Sequence, residues 1–345
     1  MKRIIKILSA IMMFFAVISP RISANDSSLY AVATQEEGFT EFAESYGTSY
    51  IAGYYGGNID FNQIDIGRGI TIDDPKDYDK VLFPVFRNND IIGSLIVIDY
   101  KGQFTATYSE LYADRLEQLQ PLTSLETPLR IVVNNDDIFA VIDDKSYNLN
   151  NSSSIDAALP SHLSDGRALK VNDYLRYDEP VLTRIPTSYA KSWTVYDPQG
   201  TDYYCYSYAL GNILLNMGYD YTPKDIQDFM EGAKEASKSD MNDFLESVGL
   251  SCTFKNRGYL AFESVMNIIY HNDSYIYIGA GNTADETSSH AFVIYGYSSN
   301  GSRNLYRVWN PWYDYTQSFD ADTRIITTAS STTFEWDNGY LYNIE

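Results

Sequence analysis

Cysteine and histidine are both scarce in this chain, which has only two cysteines and three histidines among 345 residues. Cys205 and Cys252 can form at most one disulfide bond, so a disulfide framework is excluded and hydrophobic cores must stabilise the fold. A single Cys205–Cys252 bond stays open as an alternative to two free thiols. Zinc is disfavoured because no two histidines or cysteines stand at ligand spacing, and no other metal or cofactor is predicted.

Positive charge is also scarce, since 25 lysines and arginines stand against 46 aspartates and glutamates, for a formal net charge of -21. A chain of this charge repels phosphate backbones and anionic membrane surfaces, which excludes nucleic acid as an expected partner. The acidic residues at 320 and 322 and the pair at 73–74 lack the spacing of a calcium-binding loop. We therefore interpret them as solvated acidic loops.

Only one hydrophobic run near the N-terminus is long enough to suggest a membrane segment. Lys2, Arg3 and Lys6 precede an apolar run from Ile7 to Ile18. The run is shorter than the ~20 residues that span hydrocarbon, which disfavours a stable membrane anchor. The layout is typical of a secretory signal peptide, so we expect residues 1–24 to be removed and the protein to be secreted.

The length and the 15% aromatic content predict two folded domains after that segment. Residues 25–185 contain alternating apolar runs broken by turn residues, which predicts a β-rich domain. The predicted elements are a hairpin over 81–100, a third strand over 103–108, a helix after the cap Ser109, and a second hairpin over 129–142. The lone histidine of this half, His162, is interpreted as a solvated loop residue, and the Pro-punctuated segment 178–199 as a linker.

Residues 186–345 have a different pattern, with helices first and strands afterwards. Apolar residues recur at helical spacing after Cys205, Thr222 and Pro223 open a second helix, and Ser239 is expected to open a third. A fourth helix covers 261–270, and short β-strands follow to the C-terminus. This order predicts an α+β fold in which helices pack on an antiparallel sheet, with a cleft between the two layers.

Residues capable of chemistry are concentrated in this second half. Cys205 stands at a helix N-terminus, where the helix dipole and free N–H groups favour a thiolate. His290 begins a predicted strand, and Asn310 ends the next one, so an asparagine carbonyl could fix the imidazole while the other ring nitrogen faces the sulfur. The backbone N–H of Cys205 and the side-chain amide of Gln199 are candidate donors to an oxyanion.

These residues resemble the papain-like cysteine peptidases, in the compact secreted bacterial form similar to staphopain and streptopain. The match consists of Gln199 shortly before Cys205, an aromatic residue after the cysteine, His290 leading a hydrophobic strand, and Asn310 followed by Pro and Trp312. The resemblance implies that Gln199 lines the oxyanion hole, Cys205 and His290 form the reactive pair, Asn310 orients the histidine, and Trp312 shields their hydrogen bond. The intervals after Cys205 are shorter than the roughly 130 to 150 residues of papain and cathepsin.

The resemblance also implies a domain organisation and a reaction. The chain is expected to have a signal peptide at 1–24, a β-rich propeptide domain at 25–185 and a papain-like peptidase domain at 186–345. It implies a monomeric thiol protease made as a zymogen, in which the propeptide is an intramolecular inhibitor and polypeptides are the substrates. The alternatives are a cell-wall amidase or peptidoglycan endopeptidase of the Cys–His type, and a secreted binding protein that keeps only the scaffold.

Three other features receive structural interpretations. His271 is expected at the solvent-exposed end of a helix, and Cys252 as a small buried strand residue. The Gly279 to Gly281 segment superficially resembles a phosphate-binding loop but has neither the third glycine nor a following helix, so we assign it to a turn.

Overall fold

A computed structural model describes residues 28–33, 37–55, 63–74, 78–134, 137–150, 166–175, 187–199, 202–285, 287–299, 303–328 and 332–345. The predicted signal peptide, His162 and residues 178–186 of the predicted linker lie outside these residues, whereas residues 187–190 of the predicted linker form a strand. Among the described residues, no helix combines the length and the apolar character that a bilayer crossing needs.

The described residues form six α-helices. They are α1 (Glu37–Tyr55), α2 (Ala113–Leu119), α3 (Cys205–Asn216), α4 (Pro223–Phe229), α5 (Lys238–Ser247) and α6 (Phe262–Tyr270), with a 3₁₀ turn at Gln120–Leu122.

The strands of the first half are β1 (Tyr30–Ala33), β2 (Ile64–Ile66), β3 (Ile70–Asp73), β4 (Lys80–Arg87), β5 (Asp90–Tyr100), β6 (Gln103–Ser109), β7 (Arg130–Asn134), β8 (Asp137–Ile142), β9 (Lys145–Asn148) and β10 (Arg167–Lys170). Those of the second half are β11 (Thr187–Ala190), β12 (Thr253–Lys255), β13 (Ile276–Asn282), β14 (Ser289–Ser299), β15 (Asn304–Trp309), β16 (Thr316–Asp320), β17 (Ile325–Thr327), β18 (Thr333–Glu335) and β19 (Tyr340–Tyr342).

The predicted fold class, an α+β papain-like domain behind a separate β-rich prodomain, is wrong. Strand makes up 39% of the structure and helix 25%, and the strands form one large mixed sheet of 19 strands. The sheet is mixed because β3 and β7 pair in parallel, and it includes both halves of the chain because β6 pairs with β16. The six helices are spread along the chain, two of them in the first half, and do not form one layer at the start of the second half.

The pairing of β6 with β16 joins the two halves. Gln317 pairs with Ser109 and Phe319 with Thr107 in antiparallel register. The Thr107 hydroxyl also donates to the Ser318 carbonyl at 3.0 Å. Hydrogen bonds of the backbone therefore continue from one half into the other, which explains why the strands do not separate into two sheets.

A buried polar cluster reinforces this junction. The Tyr50 hydroxyl of α1 donates to Asp320 Oδ2 at 3.0 Å, and Arg303 Nη1 lies 2.7 Å from the same oxygen. The guanidinium of Arg303 also lies 4.4 Å from the centroid of the Tyr46 ring. Asp320 is fully buried rather than in a solvated loop as predicted, and burial raises the pKa of its carboxyl group although Arg303 acts to lower it.

Elements that are marked by strong turn residues are confirmed. The hairpin predicted over 81–100 is β4 and β5, and its turn residues Asn88 and Asn89 have φ angles of 53° and 74°. Two consecutive left-handed residues give the type I′ geometry that matches the twist of a hairpin, and asparagine tolerates it well. The helix predicted at Thr222 is α4, in which Thr222 and Asp225 form a capping box.

Two predicted caps are wrong. Ser237, not Ser239, caps α5 by accepting from the backbone N–H of Asp240. Helix α2 begins at Ala113 without a side-chain cap, because the hydroxyl of Ser109 accepts from the N–H of Leu111 in the preceding turn. The N-cap of α5 thus lies two residues earlier than predicted, and that of α2, Tyr112, lies three residues later.

We expect Arg303→Met to lower the free energy of unfolding by about 3 kcal/mol, because it leaves the carboxylate of Asp320 buried without its cation. Urea unfolding of both proteins measures the difference. The control is Lys224→Met, which removes an exposed ion pair with Asp228 and should change stability by less than about 0.5 kcal/mol. Equal effects of the two substitutions would contradict the assigned role of the buried pair.

Candidate active site

The loop before Cys205 is held against α3 and against the loop after β15. Asn212, one turn before the end of α3, accepts from the backbone N–H of Tyr196 and donates to the carbonyl of Asp197, both at 2.9 Å. The N–H of Gln199 donates to the carbonyl of Pro311 at 2.7 Å. These bonds fix where the chain enters the helix and therefore where its first residue lies.

Cys205 is the first residue of α3, as the sequence indicates, and its thiol is free. Its N-cap residue, Tyr204, makes no side-chain capping bond, so no side chain competes with the sulfur for the helix N-terminus. Burial raises the pKa of the Cys205 thiol, while the backbone N–H groups of Ala291 and Tyr206 and the charge of Lys238 act to lower it. Cys205 and Ala291, the strand residue that follows His290, line the same cavity.

His290 and Asn310 are brought together as predicted. Nε2 of His290 lies 2.7 Å from Oδ1 of Asn310, and both residues are buried. Antiparallel pairing of β14 with β15 sets this geometry, because Val293 lies opposite Trp309, the residue before Asn310.

A second hydrogen bond fixes the orientation of the asparagine amide. The backbone N–H of Trp312 donates to Oδ1 of Asn310 at 3.1 Å, which requires this atom to be oxygen. Nε2 of His290 must then carry the proton that it donates to Oδ1. In the neutral ring Nδ1 is therefore the unprotonated nitrogen, which is available as a base.

Aromatic rings enclose the His290 imidazole. The Trp312 ring stacks on it at 4.0 Å between centroids and 30° between planes, and Phe292 contacts it edge-on at 4.9 Å. Burial lowers the pKa of His290 to about 4, although the bond to Asn310 acts to raise it. Trp312 therefore covers the histidine and limits access of water to its bond with Asn310.

Cys205 and His290 line one cavity of about 630 Å³ between α3, α5 and the strands β13 and β14. Its other lining residues are Tyr203, Tyr206, Lys234, Glu235, Ala236, Ser237, Lys238, Asp240, Tyr277, Gly279, Thr287, Ser288, Ser289 and Ala291. All described lining residues belong to the second half. The arrangement offers a sulfur nucleophile and a base at one surface that a substrate can reach.

Gln199 lies near the other predicted residues but does not line this cavity. Its side chain is buried, and Nε2 donates to the carbonyl of Asp202, while Oε1 has no partner among the described residues. The amide is thus engaged with its own loop. Gln199 could donate to an oxyanion only through the second N–H of Nε2, or after the loop has changed conformation.

Lys238 is a functional candidate that the sequence analysis missed. It is the first residue of α5, is only 8% exposed, and lines the cavity. Acidic residues are favoured in the first turn of a helix, so a lysine at this position is unusual. That departure is the sequence signal that could have identified Lys238 as a functional candidate.

Two other interpretations change. Gly279 lies within β13 rather than in a turn. Cys252 is partly buried and precedes β12, with its sulfur 3.3 Å from Oδ1 of Asn242. No group of three or more metal-ligating side chains occurs in the described ranges.

Neither a protein-family model nor a curated protein matches the chain.

Neutral His290 should make stability depend on pH. The pKa of this residue falls from an ordinary 6.5 to about 4, so the unfolded chain takes up the proton first. The stabilising contribution is complete above pH 6.5 and is lost as the pH falls towards 4, a loss of about 3 kcal/mol. Urea unfolding at pH 7 and pH 4 should show that His290→Gln loses this much less stability on acidification than wild type.

The control for that measurement is His271→Gln, since His271 is an exposed residue at the end of α6. It should keep the pH dependence of the wild type. An identical pH dependence of all three proteins would contradict a buried neutral imidazole.

Proposed function

We propose that this chain is a secreted cysteine endopeptidase that hydrolyses peptide bonds with Cys205 as nucleophile and His290 as acid and base. The observation that carries the proposal is the arrangement of His290 and Asn310, in which Trp312 fixes the amide and leaves Nδ1 of the imidazole as the basic nitrogen. The cavity shared by His290 and Cys205 supports it further. The likeness of these residues to the papain-like motif set supports the same reaction, independently of fold.

In the first half of the reaction, Nδ1 of His290 accepts the thiol proton and the Cys205 sulfur attacks the carbonyl carbon of the substrate. The helix N-terminus and the backbone N–H of Cys205 stabilise the negative charge that develops on the carbonyl oxygen. The imidazolium then gives its proton to the leaving amine. The C–N bond breaks and a thioester between Cys205 and the acyl group remains.

In the second half, His290 takes a proton from water, and the resulting oxygen nucleophile attacks the thioester. The C–S bond breaks, the carboxylic acid leaves, and the sulfur recovers its proton. Asn310 keeps the ring in place during both proton transfers, because its carbonyl holds Nε2–H throughout.

The first half of the chain is proposed to act as a prosegment, and residues 1–24 as the export signal. Its described residues contact the second half at several elements, including β15, where Arg307 donates to the Tyr54 carbonyl, and β16, but none of them lines the cavity. Direct blocking of the cleft therefore lacks a supporting contact. One contact lies next to the site along the chain, since Tyr313 packs against the core of the first half and directly follows Trp312. Inhibition would therefore act through the loop that covers His290.

This chemistry requires the sulfur of Cys205 and not that of Cys252. We expect Cys205→Ala to reduce hydrolysis of casein and of fluorogenic peptides by at least about 10⁴-fold without unfolding the protein. Cys252→Ala is the matched control and should retain activity within about twofold, since Cys252 does not line the cavity. Activity of Cys205→Ala near the wild-type level, or hydrolysis confined to cell walls in zymograms, would exclude the proposed reaction.

A prosegment should restrain the thiol until the chain is cut. The burial that raises the pKa of Cys205 in the intact chain predicts slow alkylation by iodoacetamide at pH 7. Processing should yield a fragment that begins near residue 186. Release of the loop at Trp312 and Tyr313 should then let His290 accept the thiol proton and make alkylation of Cys205 at least about tenfold faster. Mass spectrometry identifies both the fragment and the labelled cysteine, and an uncut chain with full activity would contradict the prosegment role.

A further inference from the structure

A lysine lies where a substrate side chain would meet the candidate nucleophile. The ammonium of Lys238 acts on the charge of Cys205 and stands 5.7 Å from the centroid of the Tyr277 ring. Both Lys238 and Tyr277 line the cavity. The cation is therefore part of the cavity surface that also contains the reacting sulfur.

The structure makes room for this ammonium at Gly279. A Cβ atom on Gly279 would overlap Nζ of Lys238 and would lie 3.2 Å from the carbonyl oxygen of Asn338. The glycine thus provides a recess in β13 that the head group of the lysine occupies. Such a recess indicates a built site, since any other residue would displace the cation.

Burial of the charged Lys238 side chain is energetically unfavourable, and no ion pair with a described residue offsets this cost. The side chain is more than nine-tenths buried, and no described carboxylate lies within ion-pairing distance of it. It also begins a helix, the end at which a cation is unfavourable. Burial lowers the pKa of Lys238 to about 8, while the charges of Cys205 and Asp337 act to raise it.

The other charges at the cavity do not neutralise it. Asp240 uses its carboxylate to accept from the backbone N–H of Ser237 at 2.7 Å. Glu235 and Asp337 are exposed to solvent, and Lys234 lies over the Tyr203 ring, 5.0 Å from its centroid. A buried cation without a paired carboxylate is best stabilised by an anion that the ligand brings.

We infer that Lys238 is a specificity-determining residue that selects peptides with an acidic side chain next to the scissile bond. The inference rests on the proposed function for the identity of the substrate as a peptide. An aspartate or glutamate side chain that enters the cavity would pair with the ammonium against Tyr277. A neutral glutamine would leave the cation without its anion.

The test measures binding without cleavage. Calorimetry with full-length Cys205→Ala uses N-acetylated, C-amidated alanine-rich hexapeptides in which one Glu or one Gln is moved along the sequence. At one position Glu should bind about 10- to 100-fold more tightly than Gln. In the Cys205→Ala/Lys238→Met protein this preference should fall to about twofold or less.

Two further variants make the result specific. Lys234→Met removes a neighbouring exposed lysine of the same cavity and should keep most of the preference for Glu. Gly279→Ala fills the recess of the ammonium and should lower the preference as Lys238→Met does, which provides a second variant if one of them is unstable. Thermal unfolding of each protein checks its fold.

Equal affinity for Glu and Gln at every position, absence of binding, or a preference that survives both Lys238→Met and Gly279→Ala would overturn the inference. These outcomes do not depend on hydrolysis, because the sulfur is absent. Loss of the proposed peptidase function would instead appear as processed wild-type protein that cleaves no peptide although the preference for Glu persists.

Discussion

The hydrogen bond from Nε2 of His290 to Oδ1 of Asn310 is the constraint on which the proposed chemistry of this protein depends. It decides which imidazole nitrogen holds the proton, and hence which one can serve as a base. The backbone N–H of Trp312 makes the assignment unambiguous by requiring an oxygen at 3.1 Å. The Trp312 ring, stacked at 4.0 Å, excludes water from the same bond, so one short loop both orients and covers the histidine.

The large sheet positions that loop. Strand β14 contains His290, and Asn310 directly follows β15. Strand β15 pairs with β16, which in turn pairs with β6 of the first half. The two halves are thereby parts of one hydrogen-bonded sheet, and the junction lies on the side of the site that holds the asparagine. Asn310 is thereby linked to the first half through the pairing of β15 with β16 and of β16 with β6.

The sequence predicts the parts of this protein that have strong local signals. Asn88 and Asn89 mark a hairpin, and Thr222 marks a helix cap, because each residue type has few alternatives at such positions. The order of Cys205, His290 and Asn310 along the chain sufficed to propose their proximity.

The predicted fold class was wrong because the two halves are joined through β16. The sequence of this strand, TQSFD, alternates too weakly between apolar and polar residues to predict a strand. Helix α1 was missed for a related reason, since its glycines, threonines and tyrosines favour helix poorly and burial against the sheet stabilises it. The packing of Lys238 against Gly279 could not be predicted, because it depends on contacts between segments that are distant in the sequence.

The tautomer of His290 tests the account most directly. Nitrogen-15 and proton NMR of protein labelled at its three histidines, with His290→Gln to assign the resonances, reports which ring nitrogen is protonated and at what pH the ring titrates. The account predicts a slowly exchanging proton on Nε2, an unprotonated Nδ1 at pH 7, and a pKa near 4. A proton on Nδ1 at neutral pH, or titration of the ring at its ordinary pKa of 6.5, would contradict it.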